Sequence, residues 1–170
     1  MGRAGRVSWS RSFGFGRISV QWSGPVRSGP LRMGTPADID ARRYYRVAYQ
    51  RLEDGWLMLD KLNRPKGAVY LTGYAVECIL KALILVITPS NARTGILKSF
   101  RGALAHDLLW LRAQLLHRHI VFPLAVAREL AYVASWSVDL RYEPGPGDRE
   151  DAQRFIASAR AVLRWADGRM

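Results

Sequence analysis

Tyr70, Tyr74, Glu77 and Lys81 follow one another at intervals of four, three and four residues. On a helix those intervals bring all four onto one narrow stripe, within about 60° of arc. The stretch that carries them, Gly67 to Ile87, is otherwise almost wholly apolar. A carboxylate and an ammonium one turn apart in such surroundings need each other and further hydrogen-bond partners, or else a wet cleft to face. Two readings stay open on the residues alone. In one, the pair is a buried structural knot completed by Arg141 and the Tyr142 hydroxyl. In the other, the stripe faces a cleft for a nucleotide or RNA, where Tyr70 and Tyr74 offer rings on which bases stack and Arg141 and Tyr142 join them.

The other residues able to do chemistry are few. The chain holds three histidines, His106, His117 and His119, and a single cysteine, Cys78, inside the apolar stretch. One thiol excludes an intramolecular disulfide and a cysteine-based metal cluster, and it fits a reducing, cytoplasmic setting. HExxH, CxxC, GxxxxGK[ST] and a GxGxxG opening a helix are all missing, so these signatures point to no metal and no nucleotide cofactor. His106 falls at the start of a helical pattern, where a ring can cap or pack. His117 and His119 flank Arg118 at a helix end, where positive charge suits the last carbonyls.

The elements that must position these residues are legible from breakers and periodicity. Pro65 and Pro89 bracket the central stretch. Its length of about 20 residues would let a helix cross a bilayer. Glu77 and Lys81 stand at its middle, however, each costing roughly 2.5–3.5 kcal/mol at a membrane centre. The expectation is therefore the central helix of a bundle, with no membrane. Ahead of it, Thr35 is expected as N-cap, with Pro36 at the first helical position and Asp38 in the first turn. Tyr45, Ala48, Leu52, Trp56 and Leu59 trace the buried face of a helix ending before Asn63. Beyond it, residues 88–104 read as a connector. Leu104, Leu108, Leu111 and Leu115 then mark a third helix, expected to run to His117, and Pro123 opens a fourth through Leu124, Ala127, Leu130, Ala131 and Ala134. No helix can cross Pro144–Gly147. Asp148 opens a fifth, lined by Phe155, Ala159, Val162 and Ala166. Trp56, Trp110 and Trp165 are expected in the core, and Trp136 against the Arg141–Tyr142 turn. The fold expected is all-α, a four- to five-helix up-and-down bundle over residues 35–168.

Three separated pieces of this pattern resemble one known family. They are Arg42-Arg-Tyr-Tyr-Arg-Val-Ala48, Gly67-Ala-Val-Tyr-Leu-Thr-Gly-Tyr-Ala-Val-Glu-Cys-Ile-Leu-Lys-Ala82 and Lys98-Ser-Phe-Arg-Gly-Ala-Leu-Ala-His-Asp-Leu108. In order and spacing they resemble the HEPN domain, a helical prokaryotic family often encoded beside a minimal nucleotidyltransferase. Trp136 followed by Arg141-Tyr142 is a weaker fourth piece. The resemblance implies a helical bundle, usually a homodimer with a polar cleft between protomers. In the family's nucleases it also implies an arginine and a later histidine with four to six residues between them, a pair that cuts RNA without metal.

On that resemblance Arg101 and His106 are the candidate catalytic pair. An imidazole that titrates near neutrality can remove a 2′-hydroxyl proton and return it to the leaving oxygen. A guanidinium can hold the charged phosphorane through two hydrogen bonds. Arg112 stands at matching distances from His117 and His119, but His106-Asp107-Leu108 is the piece that resembles the family. The family's nucleases carry a polar residue directly after the arginine, and this chain has Gly102 or Ala113 there. Two functions follow as expectations. One is a toxin-like endoribonuclease held in check by a nucleotidyltransferase partner. The other is a non-catalytic helical domain that binds a nucleotide or a partner protein through the Glu77/Lys81 face.

The formal charge of +12 divides unevenly. Residues 1–32 carry six arginines and no acid, so half the excess lies in one Gly/Ser/Arg-rich leader. That leader reads as a basic arm, as a transit-peptide-like segment, or as sequence outside the native protein, with translation starting at Met33. The remaining +6 suits an anionic partner such as RNA.

Overall fold

The computed structural model describes residues 35–170, and the expectations for the leader and for a start at Met33 lie outside the described residues. Six α-helices occur among the described residues: α1 (Ile39–Asp60), α2 (Pro65–Ile87), α3 (Arg93–Ser99), α4 (Leu108–Leu116), α5 (Leu124–Val133) and α6 (Arg149–Asp167). No strand occurs among them. The architecture is all-α, as the periodicity predicts. The additional helix is α3, a short piece inside the stretch that reads as a connector.

The apolar residues of α2 explain its central place. Its residues from Ala75 to Leu85 are all buried, and α1, α4 and α6 pack around it. It is the one described helix long and apolar enough to cross a membrane, and 72% of its apolar window lies inside the protein. Burying apolar surface contributes roughly 25 cal/mol per Å², so a helix apolar on every face is stabilised most where neighbours cover every face. Two glycines permit close approach to it. A Cβ on Gly55 of α1 would run into the Thr72 hydroxyl and lie 2.9 Å from the Ala68 carbonyl. A Cβ on Gly73 would run into the Trp136 ring.

Two helix starts differ from the expected ones, for a shared reason. Asp38, not Thr35, caps α1, because its carboxylate accepts from the Asp40 and Ala41 N–H groups at 3.1 and 2.9 Å. The Pro36 and Ala37 carbonyls are instead taken by the Arg42 guanidinium, which keeps that segment outside the helix. Asp107 caps α4 by accepting from the Leu109 and Trp110 N–H groups at 2.8 and 3.2 Å. Leu104 consequently falls in a tight 3₁₀ turn, Ala103–His106, where its side chain is 61% exposed. In both places a carboxylate three or four residues inside the expected start outcompetes the apolar stripe for the helix boundary.

The bundle is closed by polar ties at its ends. The Tyr45 hydroxyl donates to the Asp167 carboxylate at 2.6 Å, joining α1 to α6, and burial beside that carboxylate pushes the phenol's pKa up. Arg149 at the start of α6 donates to the Leu59 carbonyl and the Asn63 side chain, each at 2.9 Å. Trp165 is buried and stacks on Phe122, whereas Trp56 and Trp110 are only half-buried, so the core expected of all three tryptophans holds fully for one.

Candidate active site

The stripe on α2 is roofed by the segment that joins α3 to α4. Phe100, buried at the end of α3, lays its ring 5.4 Å from the Lys81 ammonium. Tyr44 of α1 meets Phe100 edge-on at 5.7 Å and stands 5.8 Å from the same ammonium. Lys81 donates to Oε1 of Glu77 at 2.6 Å. The second carboxylate oxygen, Oε2, lies 3.0 Å from Nδ1 of His106. Residues 100–106 therefore cross the α2 turn between Lys81 and Glu77, touching it at both ends.

Burial gives this arrangement its meaning. Glu77 and Lys81 are each only 3% exposed, whereas the His106 side chain is 41% exposed. A buried charge is tolerated when it is paired and its remaining lone pairs are used, and both Glu77 oxygens are engaged here. With Lys81 on its other oxygen, Glu77 accepts from Nδ1–H of His106. A carboxylate can only accept, so in the neutral ring this bond leaves the lone pair on Nε2. Nε2 has no hydrogen-bond partner among the described residues. The expectation that Arg141 and the Tyr142 hydroxyl complete the pair is overturned: both residues are exposed, and His106 supplies the third member.

The backbone around Arg101 is shaped by the glycine that follows it. Gly102 has φ 88° and ψ 179°, a conformation open to glycine and strained for residues with a Cβ. The turn requires glycine where the family's nucleases carry a polar side chain. Arg101 is exposed, and its side chain makes no hydrogen bond or ion pair among the described residues. The competing pairs are placed differently. The Arg112 guanidinium lies 6.0 Å from the Phe122 ring, His117 is the C-cap of α4, and His119 takes a positive φ of 61°.

The two tyrosines continue the stripe toward the start of α2. The Tyr74 ring is edge-on to His106 at 6.2 Å, to Tyr70 at 5.2 Å and to Trp136 at 5.0 Å. The two hydroxyls are 3.2 Å apart, and burial with the neighbouring Tyr70 pushes the Tyr74 phenol's pKa up. Trp136 packs on α2, and its Nε1–H donates to the Tyr70 carbonyl at 3.2 Å. Arg141 and Tyr142 end a 3₁₀ turn, Val138–Tyr142, with the guanidinium 4.6 Å from the Tyr142 ring. The stripe thus divides. Glu77 lies beneath His106 and Lys81 beneath Phe100, and Tyr70 meets Arg141 at an open groove farther along α2. Among the described residues no cluster of three or more His, Cys, Asp or Glu side chains is gathered as metal ligands would be.

A family model for the HEPN domain matches residues 40–169, nearly the whole described chain. The chain belongs to the HEPN domain family. No curated protein and no solved structure gives a significant match. Within this HEPN domain, sequence reasoning reaches Glu77, Lys81 and His106 separately. It misses Phe100 and Tyr44 as the aromatic walls of the ammonium, and Arg64 and Lys66 as cations beside Tyr70. Tyr44 and Phe100 both stand inside pieces that resemble the family, which is the signal that could have singled them out.

Proposed function

We propose that this HEPN protein is a metal-independent endoribonuclease, with His106 as general base and acid and Arg101 as the charge that stabilises the phosphorane. The observation that carries the reading is the contact between the buried Glu77 carboxylate and Nδ1 of the part-exposed His106. A carboxylate behind an imidazole orients the ring and stabilises the imidazolium formed when Nε2 takes a proton. In the reaction Nε2 removes the 2′-hydroxyl proton as the 2′-oxygen bonds to the adjacent phosphorus. The bond from phosphorus to the 5′-oxygen breaks, and the same proton passes to that oxygen. The products are a 2′,3′-cyclic phosphate and a free 5′-hydroxyl. Arg101, exposed in the same segment, suits the charged non-bridging oxygens. The reading extends to a cytoplasmic toxin that works as a homodimer and is silenced by a nucleotidyltransferase partner. A binding-only role through the Glu77/Lys81 face is disfavoured by the burial of both side chains.

The test is RNA cleavage in EDTA, together with growth arrest on expression, for the wild type and for His106→Ala. Loss of a general acid–base residue lowers the rate about 10²–10⁴-fold. Equal cleavage by both proteins, or cleavage by neither, refutes the assignment.

A further inference from the structure

An open groove of ≈ 410 Å³ lies between the start of α2 and the chain leading into α6. Its apolar side is made by Met58, Leu62 and Leu140, and its polar side by Arg64, Lys66, Tyr70 and Arg141. The groove is held in shape from its far wall. The Pro146 carbonyl accepts from the Lys66 N–H at 3.0 Å, and the Lys66 ammonium donates to the Glu143 and Pro144 carbonyls at 3.3 and 2.6 Å. Gly147 makes that approach feasible, since a Cβ there would sit 3.0 Å from the Lys66 nitrogen, at a φ of 79°. Glu143 is the one acid at the groove, 3.8 Å from Lys66, so the cations Arg64 and Arg141 outweigh it. Beside Arg141 the Tyr142 ring is 72% exposed.

Apolar walls, a tyrosine ring and excess cations in a space of this size match one nucleotide, its base against the rings and its phosphate against the guanidinium groups. Position adds the decisive point. Tyr70 stands seven residues before Glu77 on α2, an axial distance of about 10 Å. Tyr74 bridges the interval by touching both Tyr70 and His106. A strand whose scissile phosphate lies at His106 reaches the groove with a nearby nucleotide.

We propose that this groove is a second nucleotide subsite for single-stranded RNA, holding an unpaired nucleotide beside the cleavage point through Arg141 and Tyr70. The assignment of the strand's direction toward His106 rests on the ribonuclease reading. Stacking needs a free base face, so the subsite selects unpaired RNA.

The probe is a fluorescent 2′-O-methyl tetranucleotide, which binds without being cut, followed by anisotropy. It is titrated into the wild type, Arg141→Ala, and Arg128→Ala as a control arginine exposed on α5 outside the groove. Circular dichroism verifies that each variant is folded. Arg141→Ala is expected to weaken binding about tenfold, as loss of one stacking or phosphate contact does, with Arg128→Ala near wild type. Equal affinities for all three proteins, or equal losses in both variants, overturn the subsite. Displacement of the probe by free AMP at concentrations comparable to unlabelled tetranucleotide also overturns it, because the groove then serves free nucleotides. Arg141-dependent binding without any RNA cleavage sinks the catalytic role of His106 and leaves the subsite standing. Cleavage that is indifferent to Arg141 in both KM and binding does the reverse.

Discussion

The Glu77–Lys81 pair offers the sharpest test of the reasoning, because its two partners are almost equally buried and 2.6 Å apart. Replacing either one leaves the other as an uncompensated charge in the core. Lys81→Met strands the Glu77 carboxylate, with the His106 ring as its remaining contact. Glu77→Leu strands the ammonium between the Tyr44 and Phe100 rings. Breaking a buried pair from one side costs about 3–5 kcal/mol, a large share of the roughly 5–15 kcal/mol that holds a domain together. With a urea slope of about 2 kcal/mol/M, a loss of about 4 kcal/mol moves the unfolding midpoint down by about 2 M. The double variant removes both charges and leaves apolar side chains of similar length, so it is expected to lose far less than the two singles together. The assay is urea unfolding followed by circular dichroism for the four proteins of the cycle. Singles that each lose under about 1 kcal/mol, with a double variant equal to their sum, would refute the dry, coupled pair and return the stripe to a wet cleft.

Three further outcomes are expected. Gly73→Ala drives a methyl group into the Trp136 ring, so it should cost about 1–3 kcal/mol by overpacking and change tryptophan fluorescence; unchanged stability and emission would mean that Trp136 does not sit on α2. Gly102→Ala places a Cβ where nothing lies within 4 Å, so any loss must come from the backbone, about 1–3 kcal/mol for a glycine-only conformation; a variant with wild-type melting temperature would show that the turn relaxes freely. Burial pushes the Cys78 thiol from its ordinary 9.0 up to about 12, because the apolar core disfavours the thiolate. Its share of stability is whole below 9.0, where the unfolded thiol is still protonated, and is lost as pH rises toward 12. A thiol reagent at pH near 9 should accordingly label denatured protein fast and native protein slowly, and equal rates would contradict the burial.

The features legible in the sequence are the ones written within a single helix. Pro65 and the apolar run announce α2, and the spacing of Tyr70, Tyr74, Glu77 and Lys81 announces a polar stripe upon it, because helical periodicity needs no tertiary information. The third partner of the pair was not legible. His106 is 29 residues from Glu77, and only the folding of the α3–α4 segment across α2 brings the two together. Arg141 failed as that partner for the same reason, since nothing local says which loop covers which turn. The starts of α1 and α4 were displaced by Asp38 and Asp107, whose capping strength competes with apolar patterning in a way that spacing alone leaves undecided. Gly102, which departs from the family's habit at that position, becomes intelligible only with its φ of 88°.

Arg93 carries a consequence of its own. Its guanidinium donates to the Leu85 and Thr88 carbonyls at 3.2 and 3.0 Å, and to the second Asp38 oxygen at 2.9 Å. The carboxylate that starts α1 thereby moors the chain as it leaves α2. Farther on, His106 and the Asp107 cap moor it again at α4. Between those moorings the buried Phe100 ring gives a third, against Lys81 and Tyr44, directly before the exposed Arg101. Severing the Asp38 tie, as in Asp38→Ala, removes both the cap of α1 and one of the three bonds that hold Arg93, while the Glu77–His106 contact farther along the chain stays in place. One carboxylate thus serves two elements at once, so a single substitution there loosens the start of α1 and the exit from α2 together.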